Sequence, residues 1–141
     1  MNIRSTLSPT RRVVLGAAAA LAFTGIAAPA LSLASGFAAY TKPAFDAALK
    51  GSKPVLVHVH AEWCPVCKKQ EAVFNELSGS ADFKKLTAFV VDFDKEADFK
   101  KAHGVNNQSV ILVFKGGKEV ARSGGVTDKA KIAELVAGAA K

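Results

Sequence analysis

"VLVHVHAEWCPVCKKQ", residues 55–70, runs from an apolar β-branched stretch into the chain's only two cysteines. Val55–His60 reads as a strand buried on both faces, bounded by Pro54. From Cys64 to about Ser78 the pattern turns helical: Cys67, Glu71 and Phe74 recur at 3–4 spacing, as do Val73 and Leu77. Cys64 then falls at a helix N-terminus, where free N–H groups and the helix dipole stabilise a thiolate and lower its pKa below about 8.5. Cys67 lies one turn further on the same side. Pro65, in the first turn, has no N–H to lose.

Three kinds of chemistry are open to such a pair. As a structural staple it closes a loop of four residues, worth only about 2 kcal/mol before strain. As a structural zinc site it needs further ligands, and the chain offers only His58, His60 and His103. A redox pair needs only the two sulfurs, and strand–CxxC–helix is its characteristic setting.

On the N-terminal side of this stretch, "TKPAFDAALKG" (41–51) predicts a helix with Thr41 as N-cap, Pro43 in the first turn and Gly51 as the stop. "LTAFVVDF" (86–93) predicts a second buried strand. "DKEADFKKAHG" (94–104) opens with acids and closes with bases, the order a helix dipole favours. "SVILVFKGGKEVARSGG" (109–125) predicts a hairpin turning at Gly116-Gly117. "TDKAKIAELVAGAA" (127–140) predicts a last helix capped by Thr127, with Ile132, Leu135 and Val136 facing inward. The order α, β, α, β, α, β, β, α specifies an α/β fold, a mixed central sheet flanked by helices on both faces.

The CxxC stretch, "VDFD" before the next helix and "VILVFKGGKEV" in the hairpin together resemble the thioredoxin family across nearly all of residues 41–141. The resemblance implies a thioredoxin-like fold and thiol–disulfide exchange without a bound cofactor. Cys64 maps to the attacking cysteine, Cys67 to the resolving one, and Trp63 to the aromatic flanking the site. Trp63, Pro65 and Ser109 are the expected substrate-contacting residues. The Cys-Pro-Val-Cys motif is nearer to periplasmic thioredoxin-like proteins than to the common Gly-Pro form.

Two positions depart from the family pattern. The family's buried aspartate on the strand below the site is replaced by His58. Either this is a hydrogen-bonded core histidine, or it is a base that takes the proton from Cys67 and titrates near neutrality. His58 and His60 share one face of the strand. The family's cis-proline is replaced by Ser109, so a trans Gln108–Ser109 bond is expected. That replacement opens a second reading: a copper or zinc binding or delivery module using Cys64, Cys67 and a nearby histidine, of which His60 is the candidate.

Residues 1–34 read differently from the rest. Arg4, Arg11 and Arg12 precede the apolar run "VVLGAAAALAFTGIAAPALSLA", and no acid occurs among them. This is the plan of a signal peptide, with cleavage after Ala30 or Ala34, and the Arg11-Arg12 pair resembles a twin-arginine signal. An uncleaved anchor is the alternative, since about 20 apolar residues span a bilayer. The expected organisation is therefore a leader (1–34) and one thioredoxin-like domain (35–141), exported to a bacterial periplasm where disulfides are permitted. Residues 35–141 keep 16 basic and 12 acidic residues, a net +4, dispersed in isolated lysine pairs. That is no nucleic-acid stripe. The expected partners are protein thiols and disulfides, plus an electron donor in the membrane or a thioredoxin system, for a domain acting as a monomer.

Overall fold

The central strand of the sheet is β2 (Val55–His60), in which every residue is buried. A computed structural model of the protein describes residues 36–141, so the expected leader and its cleavage points lie outside the described residues. Strand β3 (Thr87–Asp92) runs parallel to β2 on one side, and β4 (Val110–Lys115) runs antiparallel to it on the other. β5 (Lys118–Gly124) pairs with β4 across a two-residue turn. Gly116 and Gly117 both have positive φ, 54° and 77°, as a tight hairpin turn requires.

The expected order is corrected at its start. A short strand β1 (Phe37–Ala39) precedes the first helix and adds in parallel to β3, giving the sheet order β1-β3-β2-β4-β5. Three residues are too few to show an alternating pattern in the sequence. The segment is held instead by Phe37, whose ring meets Phe74 at 4.9 Å and Phe83 at 5.5 Å. Gly36 allows the approach: its φ is +87°, and a Cβ there would lie 2.8 Å from the Phe83 ring.

Four helices cover the sheet: α1 (Lys42–Lys50), α2 (Pro65–Leu77), α3 (Ala97–His103) and α4 (Lys129–Ala140). Side-chain alternation along the strands sorts them into two layers. Leu56, Ala88, Val90, Ile111 and Val113 pack with Phe74 of α2 and Ile132, Val136 and Ala139 of α4. Val55, Val57, Val59, Phe89, Val91 and Leu112 pack with Phe45 of α1 and Phe99 of α3 on the opposite face. No helix among the described residues is long and apolar enough to cross a membrane.

The Thr41 hydroxyl caps α1, accepting from the Ala44 N–H at 3.4 Å. In α4 the expected cap moves by one residue: the Asp128 carboxylate, not Thr127, accepts from the Lys131 N–H at 2.9 Å. Leu135 is only partly buried, and Ala139 completes the inner stripe. A 3-10 turn at Phe83–Lys85, unmarked in the sequence pattern, leads into β3 and buries Phe83.

Candidate active site

Cys64 is the N-cap of α2, and its sulfur does what a capping oxygen does elsewhere: it accepts the Cys67 N–H at 3.2 Å. Pro65 follows as the first helical residue, exposed. Both sulfurs are buried and both cysteines are free. The chain enters this helix directly from β2, so the cysteines sit at the carboxyl end of the central strand. Cys67 Sγ lies 3.9 Å from the Val59 carbonyl of that strand.

Ser109 completes the site from the other side of β2. Its Oγ is 3.1 Å from Cys64 Sγ and 3.1 Å from Cys67 Sγ. Burial alone would push the Cys64 thiol up, but hydrogen bonds from Cys67, from the Ser109 hydroxyl and from the Cys67 and Val66 backbone outweigh it. The Cys64 thiol therefore ionises below its ordinary value. Burial and the neighbouring Cys64 raise the Cys67 thiol, against the pull of Ser109. Of the two thiols, Cys64 is the more readily ionised.

No cis peptide bond occurs among the described residues, so Gln108–Ser109 is trans as expected. Ser109 has φ 62°, the only positive φ outside glycine among them. Its backbone is pinned at both ends: Ser109 N–H donates to the Val59 carbonyl at 2.9 Å, and Ser109 O accepts from Gly125 N–H at 2.9 Å.

Gln70 is the residue that sequence reasoning misses. It is fully buried on the inner face of α2, where the helical pattern had suggested Glu71. Both positions lie one turn from Cys67. An amide can be buried with all its bonds made, whereas a carboxylate cannot be buried cheaply. Gln70 Nε2 donates to Ser109 O at 3.1 Å and to Val126 O at 2.8 Å. Glu71 turns to the edge, with Oε2 3.7 Å from His60 Nε2. A polar residue on an otherwise apolar stripe was the available signal.

Those two donations fix the state of His58. With both amide hydrogens used, Gln70 Oε1 can only accept, so His58 Nε2, 3.0 Å away, carries the hydrogen. Its Nδ1 is left buried without a partner. Burial pushes the His58 pKa down to about 4, opposed by the Gln70 bond and aided by His60. Of the two readings open for His58, burial favours the bonded core histidine over the base titrating near neutrality: a ring this dry stays neutral. Among the described residues its hydrogen bond goes to Gln70 and to neither sulfur. The geometry is that of a bonded core histidine, edge-on to Phe37 and beside Phe74.

Trp63 stands 60% exposed beside the cysteines, its Nε1 donating to Asp94 Oδ2 at 2.9 Å. This bond ties the loop after β2 to the loop after β3. Among the described residues no three His, Cys, Asp or Glu side chains group so as to hold a metal ion. Cys64, Cys67 and His60 are thus not gathered into a three-ligand cluster.

The thioredoxin family model matches residues 36–138, the whole described fold except its last turn. The chain belongs to the thioredoxin family. It is 34% identical over 82 residues to a thioredoxin of Chlamydia trachomatis, covering 58% of this chain and 78% of that protein. With a thioredoxin of Aspergillus fumigatus it shares 35% identity over 71 residues, 50% of this chain and 64% of that one. Among solved structures, Trxlp of Edwardsiella tarda superposes with a TM-score of 0.68 at 34% identity, covering 70% of this chain and 98% of that one. Thioredoxins are thiol–disulfide oxidoreductases, and this family member keeps the redox pair as Cys64 and Cys67. Where the family pattern has an aspartate and a cis-proline, it has a neutral histidine and a serine whose hydroxyl faces both sulfurs.

Proposed function

We propose that this protein is an exported thiol–disulfide oxidoreductase that exchanges disulfides with protein substrates, Cys64 attacking and Cys67 resolving. The observation that carries the reading is the environment of Cys64: a helix-capping sulfur that accepts a backbone N–H and lies within reach of a hydroxyl, its thiol held below the ordinary range. Such a thiolate is the nucleophile that exchange needs. Trp63, exposed at the rim with Pro65, offers a flat apolar surface against which a substrate chain can lie. Export rests on the composition of residues 1–34, and an oxidising compartment such as the periplasm suits a dedicated disulfide chemistry. An electron donor in the membrane or a thioredoxin system would return the pair to its dithiol form.

The test is insulin reduction by residues 35–141 with dithiothreitol as the electron source, beside the Cys64→Ser variant. Catalysis by the wild type and only the background rate with Cys64→Ser is the expected result. Equal rates would overturn the assignment.

A further inference from the structure

Ser109 holds a strained backbone while its hydroxyl spans the redox pair. A non-glycine residue in the left-handed region costs on the order of 1 kcal/mol and persists only where its surroundings over-determine it. Here they do: Val59 O, Gly125 N–H and the Gln70 amide hold both backbone polar groups. The result is an Oγ equidistant from the two sulfurs, 3.1 Å from each. One hydroxyl has one hydrogen to donate and two lone pairs to accept with. It cannot donate to both sulfurs at once, but it can donate to one while accepting from the other.

We propose that the Ser109 hydroxyl is a switch, donating its hydrogen to whichever sulfur carries the charge, first Cys64 and then Cys67. The inference rests on the exchange reaction proposed above. In the dithiol form the hydroxyl donates to the Cys64 thiolate, which the Cys67 S–H also faces. The Cys64 thiolate attacks one sulfur of a substrate disulfide; the substrate S–S bond breaks and the first substrate thiolate leaves. Cys67 loses its proton, which ends on that departing thiolate. Cys64, now bonded to the substrate, no longer needs a donor, and the hydroxyl turns about its Cβ–Oγ bond to stabilise the new Cys67 thiolate. Cys67 then attacks Cys64 Sγ, a Cys64–Cys67 bond forms, and the second substrate sulfur leaves as a thiolate. Two electrons and one proton have passed to the substrate. The proline of the family pattern has no hydroxyl to play this part.

The test uses two variants that both lack Oγ: Ser109→Gly, which suits a φ of 62°, and Ser109→Ala, which does not. A change shared by both reports the hydroxyl, and one seen only in Ser109→Ala reports backbone strain. Two quantities are measured with the small disulfide dithiobisnitrobenzoate, so no protein substrate is needed. The first is the Cys64 thiolate fraction by ultraviolet absorbance, at a pH where the wild type is partly ionised. The second is the rate at which Cys67 closes the Cys64–nitrothiobenzoate mixed disulfide. A hydrogen bond to a charged group is worth about tenfold or more, so the ratio of thiolate to thiol should fall by about that factor in both variants. Closure should slow by about threefold, because a more basic thiolate is also a better nucleophile. Wild-type values of either quantity in Ser109→Gly would overturn the switch. Insulin left unreduced by the wild type would overturn the proposed function while these two measurements stood.

Discussion

A buried neutral histidine leaves a signature in stability, and His58 shows how to read it. Its folded pKa, about 4, lies below the unfolded value of about 6.5. Between those values the unfolded chain binds a proton that the folded protein refuses, so stability falls as pH drops from about 6.5 to 4 and falls no further below. The gap corresponds to roughly 3 kcal/mol. His103, half-buried against Phe45 and Phe99 and likewise lowered by burial, tilts the curve in the same direction. In His58→Leu, Gln70 Oε1 loses its donor and overall stability drops by about 1–3 kcal/mol, but the loss between pH 6.5 and 4 is smaller than in the wild type. Urea unfolding across that range checks it; parallel curves for the two proteins would show that His58 ionises in the fold as it does in water. The cysteines of this site are legible in the sequence because their chemistry depends on spacing and on a strand–helix junction, both local. Gln70 is not, because its three bonds reach Ser109, Val126 and His58, residues that only the folded sheet brings together.

At the scale of elements, local signals decide what can be read. Pro43, Gly51, the Gly116-Gly117 pair and the acid-to-base order of α3 each act within one turn of chain, and the structure follows them. The start of α4 shows the limit. Thr127 and Asp128 are both competent caps, and only the backbone, extended at Asp128, selects between them. Asp128→Ala should therefore lower stability by about 1 kcal/mol and Thr127→Ala by much less, as read from paired thermal melts. Equal losses would mean that the helix starts one residue earlier. β1 was invisible for a different reason: its identity lies in its partners, β3 in the ladder and Phe74 and Phe83 in the core, and none of these is adjacent in sequence.

For the whole molecule, β1 is more than an ornament on the sheet edge. Phe37 closes the layer beneath α2, with its ring 6.3 Å from His58. Phe37→Ala should cost about 3 kcal/mol in denaturant unfolding, whereas Val120→Ala, on a side chain 55% exposed at the opposite edge, should change stability by less than about 0.5 kcal/mol. A small loss at Phe37 would mean that the domain closes without its first strand. Both edges of the sheet lie far in sequence from the cysteines, yet the layer that Phe37 seals also packs the helix that Cys64 caps.

That capping sulfur makes folding and oxidation state two sides of one thermodynamic cycle. When Cys64 becomes half of a disulfide, the sulfur that receives the Cys67 N–H can no longer ionise, so the dithiol and disulfide forms cap α2 with acceptors of different strength. The difference between their unfolding free energies must equal the difference between the pair's reduction potential in the folded domain and in the denatured chain. At about 30 mV for each 1.4 kcal/mol, denaturation curves recorded in both oxidation states amount to a potentiometer built from the protein's own stability.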